Sequence, residues 1–318
     1  MEAWSGSAPG RRRGRLARPV LLATTVALME AVPNFSEGRD QTVLDSIRSA
    51  MTDAGGRVLD VHSDADHNRS VFTCVGDPDS LVEALAAGIA VAVAVIDLNR
   101  HEGVHPRVGA ADVVPFVRFD PEDDQPERAA RALARRIALL GLPVLGYAEL
   151  GGGLRPAYFR QGGTDLLAER LDSGDVVPLL GPAHLHPTAG AVLLGVRPPL
   201  VAFNVDLDSE DVELARSIAT AIRARDGGLP GVQALGLGLS SGRVQVSTNL
   251  IDIEATPLHV VVERIEQLAR EAGASVHGSE LVGLMPASVA AAAAGSALRL
   301  PGMTSDRMLE VSVFGEFI

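Results

Sequence analysis

The order of apolar segments in the second half of the chain most narrowly limits its fold. Residues 199–208, 232–241, 242–252 and 274–282 carry strand-like runs, and 209–225 and 257–272 carry helical spacing. Strand, helix, strand, strand, helix, strand is the βαββαβ plan of ferredoxin-like domains. The first half alternates in a related way. Strands are expected at 26–34, 57–64, 69–77, 111–120 and 143–150, and helices at 40–53, 80–95 and 121–141. Asp40 stands where a helix N-cap belongs, and residues 65–68 form the turn between two strands. The fold class is therefore α/β, an α+β sandwich of two subdomains, each a sheet with helices packed on one face. The glycine- and proline-rich stretch 181–199 reads as the piece joining them. The boundaries are 26–199 for the N-terminal subdomain and 200–318 for the C-terminal one, and a cleft between two such halves suits a ligand.

Composition narrows the function. Aromatic residues are only 3% of the 318, so both cores must be built from Ala, Val, Leu and Ile. A formal charge of −12 excludes the basic surface that nucleic acid requires. The chain contains no lysine, so anionic substrates must be held by planar arginine forks. The single cysteine, Cys74, excludes an intrachain disulfide and a cysteine metal site, and reads as a small core residue. Residues 1–25 couple a basic stretch to a short apolar run that imitates a signal peptide. No small-residue cleavage site precedes the first strand, and the run is too short to span a bilayer. The segment reads as a disordered or non-native extension, with Met29 the better initiator. The expectation is a cytoplasmic protein without a membrane partner.

Chemistry concentrates in residues 101–116, HEGVHPRVGAADVVPF. Two histidines, Arg107 and Asp112 sit in a loop punctuated by Gly103, Pro106 and Gly109. Pro106 biases His105 toward extended backbone, and an imidazole is suited to moving protons near neutral pH. The same residues also suit a purely structural loop. His184 and His186, with His101 and His105, make four histidines in two loops, but no carboxylate spacing completes a metal site, so no metal is expected. The run Gly151 to Gly153 suits either a backbone anion cradle or a mobile linker. Dinucleotide, phosphate-loop and nucleophile-elbow motifs are absent.

Six blocks in order, VPNFSEGRD, DHNRSVFTCVG, HEGVHPRVGAADVVPF, RPPLVAFNVDL, VQVSTNLIDIEATPLH and GSELVGLMP, resemble the formiminotransferase family, the glutamate formimidoyltransferases. The resemblance spans residues 26–318. It implies a homodimer whose protomer holds a folate tunnel between two α/β subdomains. It also implies transfer of a formimino group from N-formimino-L-glutamate to N5 of tetrahydrofolate, with tetrahydrofolate as co-substrate and no metal. The family's catalytic histidine, in its HPR triplet, corresponds to His105, expected as a general acid/base that takes the proton from N5 and delivers it to the departing nitrogen. Its folate-contacting segment corresponds to Gly181, Pro182, Ala183, His184, Leu185, His186, Pro187, Thr188, Ala189 and Gly190. Asn34, Arg69 and Arg197 fall on further motif positions expected to line the tunnel. Asn34 equally suits a turn cap, and Arg69 a structural ion pair. Arg69, Arg107 and Arg197 are candidate carboxylate clamps, though Arg107 also suits neutralising Asp112. Asp112 or a backbone carbonyl would orient His105.

The chain departs from the family pattern in four places. Glu102 and Val104 replace a lysine and a glutamate, His62 stands where an acid is expected, and the block around Tyr147 and Glu149 loses a glycine. These leave open another donor, such as N-formylglutamate, or a folate-binding relative without activity. Because the cyclodeaminase half is absent from these residues, a separate cyclodeaminase is expected downstream.

Overall fold

A computed structural model describes residues 28–314. The extension read into residues 1–25 lies outside the described residues. The first subdomain is a seven-stranded sheet. Its strands are β1 (Met29–Ala31), β2 (Asn34–Phe35), β3 (Arg57–Asp64), β4 (Arg69–Gly76), β5 (Ala111–Val117), β6 (Val144–Ala148) and β7 (Val192–Arg197). β3 lies outside β4 in antiparallel register. The short strands β1 and β2 bridge β4 to β5, and β5, β7 and β6 run parallel.

Helices α1 (Gln41–Asp53), α2 (Pro78–Val95) and α3 (Gln125–Leu139) cover one face over a continuous core. Asp40 caps α1 as its sequence suggests, accepting from the Thr42 amide, and Asp77 caps α2 through the Ser80 amide. By length and composition α2 could cross a bilayer, but here it is a core helix, with Leu81, Leu85 and Ile89 fully buried.

Part of the opposite face is covered by α4 (Pro156–Arg160) and α5 (Gly163–Asp172), whose Phe159, Leu167 and Leu171 pack on Val113, Leu145 and Leu193. Alternate residues of β5, β6 and β7 thus enter two different cores, Val114, Leu194 and Val144 on one side and Val113, Leu193 and Leu145 on the other. This arrangement corrects the reading of 181–199 as a connector: Val192–Arg197 is a central strand paired with both β5 and β6. The glycines and prolines on both sides of its six residues read as a linker and hide the strand.

The second subdomain is the expected ferredoxin-like unit. Strand β8 (Val201–Leu207) is followed by α6 (Val212–Ile222), β9 (Val232–Gly238), β10 (Val244–Leu250), α7 (Leu258–Glu271) and β11 (Val276–Val282). The sheet runs β11-β8-β10-β9 with every pairing antiparallel. Helix α6 is shorter than expected because Asp211, not Ser209, accepts from the Glu213 amide and starts it. α8 (Ala287–Ala297) and α9 (Leu309–Phe314) follow, both unforeseen in the alanine-rich and mixed tail. Val201, Phe203 and Val205 point into the helical core, while Ala202 and Asn204 point the other way, toward the first sheet.

Candidate active site

The two sheets enclose a cavity of about 1120 Å³. That exceeds the roughly 300–1,000 Å³ of an ordinary small-molecule pocket and leaves room for two reactants. Its first wall comes from all seven strands of the first sheet, α4 and the loops before β4 and β5, and includes Arg69, His67, His105, Tyr147, Arg160 and Arg197. Its second comes from β8, β9, β10 and the segment after β11, with Asn204, Gln233, Ser247 and Asn249.

The electrostatic centre is Asp112, the second residue of β5, which is fully buried. Its Oδ2 accepts from Arg69 Nη1 and Arg160 Nη2, each at 2.5 Å, and its Oδ1 accepts from the Val108 amide at 2.8 Å. Burial alone would raise this carboxyl. The guanidinium groups of Arg160 and Arg69 and the two kinds of hydrogen bond instead hold it below the ordinary carboxylate range. Arg69 also donates from Nε and Nη2 to Asn34 Oδ1, at 3.2 and 2.8 Å, and Asn34 Nδ2 donates to the Val32 carbonyl at 2.7 Å. Asn34 and Arg69 therefore both line the cavity, and both also serve the local roles that sequence reading left open. Arg160 is less committed: its buried Nε has no partner. Arg197 donates to the Pro198 carbonyl and lies against Tyr147, whose hydroxyl burial pushes up to about 12. That ring crosses β7 at Gly195, where a Cβ would sit 2.4 Å from a Tyr147 carbon.

His105 is half-buried on the rim of the same wall. Its Nδ1 lies 2.8 Å from the Pro106 carbonyl, which can only accept, so Nδ1 carries the hydrogen and Nε2 keeps a lone pair. The orienter is thus the backbone carbonyl; Asp112 is consumed by the two arginines and Val108. Burial, then the charges of Arg69 and Arg160, hold the His105 imidazolium well below its ordinary value of 6.5. His105 is thereby held in its neutral form at neutral pH, with the Nε2 lone pair free.

Arg107 neither borders the cavity nor bonds Asp112. It staples its own loop, donating to the carbonyls of Gly103 at 2.9 Å, His105 at 2.6 Å and His67 at 3.3 Å, and to His101 Nε2 at 3.0 Å. None of the ten residues from Gly181 to Gly190 borders the cavity either. His186 and Gly190 close a small turn by mutual backbone bonds, and Ala189 O accepts from the Ala110 amide at 2.9 Å. Gly190 bridges Gly109, where a Cβ would sit 1.8 Å from the Ala191 carbonyl oxygen. The segment braces the root of the His105 loop. Among the described residues no three His, Cys, Asp or Glu side chains gather as a metal site. The glycine run is a tight turn at the end of β6 in which Gly151 abuts the Gly146 carbonyl, so neither a cradle nor a linker describes it.

Arg160 and His67, both on the cavity, escaped sequence reading. Arg160 ends α4, a five-residue helix whose only signal was Pro156 at its first position. His67 lies in the turn before β4, read only as a connection. His62, the unexpected histidine of β3, has its Nε2 3.5 Å from Glu280 of β11 in the other subdomain. Glu149 pairs with Arg118 at 3.0 Å.

Comparison with known proteins places the chain among close relatives. The model of the formiminotransferase domain's N-terminal subdomain matches residues 28–197, and that of the formiminotransferase domain matches 202–299. Glutamate formimidoyltransferase of Streptococcus pyogenes serotype M1 is 40% identical over 269 residues, 82% of this chain and 89% of that protein. The glutamate formimidoyltransferase of Thermoplasma acidophilum is 38% identical over 297 residues, covering 90% and 97%. Formimidoyltransferase-cyclodeaminase of Sus scrofa is 41% identical over 273 residues, covering 81% of this chain and 50% of that protein.

Proposed function

Because the chain belongs to the formiminotransferase family, we propose that it moves the formimino group from N-formimino-L-glutamate to N5 of tetrahydrofolate, with His105 as proton-transfer base. The observation that carries this reading is the oriented, neutral His105 on a two-reactant cavity. The attacking N5 must shed a proton, and the departing glutamate nitrogen must gain one. His105 Nε2 takes the first as the new carbon–nitrogen bond forms. The loss of glutamate then regenerates the amidine on N5. Arg160, with donors to spare, and Arg197 face the carboxylates that both reactants carry. Apolar residues Val71, Val113, Pro115 and Phe119 line the same wall and suit an aromatic heterocycle. Asn204, Gln233, Ser247 and Asn249 offer neutral donors and acceptors to its polar edge.

The family's folate-contacting segment, Gly181 to Gly190, enters this reading as the brace that holds the His105 loop, and a homodimer accompanies it. The test is an absorbance assay of purified protein with tetrahydrofolate and N-formimino-L-glutamate, coupled to added cyclodeaminase. Folate-dependent product supports the reading. Binding of tetrahydrofolate without product points to another donor, such as N-formylglutamate, or to a folate-binding relative.

A further inference from the structure

His67 meets the cavity through a link that crosses between the subdomains. It is 6% exposed, and its ring centroid lies 5.8 Å from that of His105. Its Nε2 sits 3.1 Å from Gln245 Oε1 on β10, and Gln245 Nε2 donates to Asp206 Oδ1 on β8 at 2.9 Å. The chain of bonds fixes each hydrogen. An ionised carboxylate only accepts, so Asp206 turns the Gln245 amide nitrogen toward itself. The Gln245 oxygen then faces His67, which must carry its hydrogen on Nε2. This leaves Nδ1 without a protein partner among the described residues, on a side chain that lines the cavity. A histidine needing only a core partner would be served by one acceptor. Here the acceptor, Gln245, comes from the other subdomain, is itself 3% exposed, and is in turn oriented by the charge of Asp206 beside it on the same sheet.

We propose that His67 is the second proton-transfer group of this site, the acid that protonates the departing glutamate nitrogen while His105 serves as the base. The proposal rests on the transfer reaction proposed above. His105 Nε2 takes the proton from the attacking nitrogen. Protonated His67 gives its Nδ1 proton to glutamate's nitrogen as the carbon–nitrogen bond breaks and the electron pair stays on nitrogen. The proton on His105 then passes to His67 through the cavity, and both rings return to their starting states. One proton is thus shared by two neighbouring rings, which avoids two adjacent imidazolium charges. The groups facing His67 are His105, Arg107 on its carbonyl, Asp64 accepting from its amide, and Asp206 through Gln245. Arg69, two residues on, completes the set.

The test is the pH dependence of kcat for the whole protein with tetrahydrofolate and N-formimino-L-glutamate. The unaltered protein should lose rate on the acid side as His105 is protonated and on the alkaline side as the leaving-group acid is lost. His67→Gln should abolish the alkaline limb and lower kcat about tenfold or more with the folate KM held. Gln245→Glu places a carboxylate against His67 Nε2 and should move the alkaline limb to higher pH. That variant carries the test if His67→Gln fails to fold. An active protein whose alkaline limb and rate are unchanged in both variants overturns the proposal alone. Absence of transfer in the unaltered protein overturns the function it rests on as well.

Discussion

The two walls of the cavity differ in kind. Among the described residues, every charged or titratable group on the lining comes from the N-terminal subdomain: Glu30, Arg57, His67, Arg69, His105, Tyr147, Arg155, Arg160 and Arg197. The C-terminal wall contributes apolar residues and neutral amides and hydroxyls. The difference follows from the folds. In the first subdomain buried Asp112, near the start of β5, gathers Arg69 from the start of β4 and Arg160 from the end of α4. The second is a simple antiparallel unit whose free face carries alternate small polar side chains. In the proposed function, proton transfer and carboxylate binding therefore fall to one half, and shape and neutral hydrogen bonding to the other.

Variants on each wall should separate these roles. The largest effect belongs to the base: His105→Ala should lower kcat about a hundredfold or more, measured in the coupled assay. Asp112→Asn should come next, acting on stability, because it leaves Arg69 and Arg160 buried around an incomplete partner. Removing one member of such a buried set costs roughly 3–5 kcal/mol, and melting should fall by about 10 °C in calorimetry. On the neutral wall, Asn249→Ala should raise the folate KM roughly 2- to 10-fold and leave kcat alone, the worth of one hydrogen bond. A large kcat loss there would break the contrast between the walls.

The smallest effect concerns pH. His105 stays neutral below its ordinary value of 6.5, so kcat/KM should hold its plateau below that pH and fall only as the pH drops through the lowered value. Removing a nearby positive charge with Arg160→Gln should raise that value and move the acid limb to higher pH. The same sign governs stability. Below pH 6.5 the unfolded chain takes up a proton that His105 refuses, so folding weakens as pH falls through that window.

Much of this was legible in the sequence. Strand and helix order in the second subdomain was readable because its strands alternate on a half-covered sheet and its helices carry a clean apolar stripe. The HPR loop identified His105, and the motif positions Asn34, Arg69 and Arg197 do reach the cavity. Strand β7 was not legible because glycines and prolines flank its six residues on both sides, while β5, equally buried on both faces, was read. Arg160 was hidden by a helix of five residues, too short for periodicity to register. The placing of Gly181 to Gly190 away from the cavity, and the cross-subdomain partners of His67 and His62, depend on contacts between residues far apart in the chain. No local pattern encodes them.

The central claim is that the charged wall performs the chemistry through His105 while folate recognition is spread over both walls. The most direct measurement compares the unaltered protein with His105→Ala in two readouts, formimino transfer and tetrahydrofolate affinity by calorimetry. The account predicts transfer lost by about a hundredfold or more with affinity nearly unchanged. Near-normal turnover in His105→Ala would contradict it.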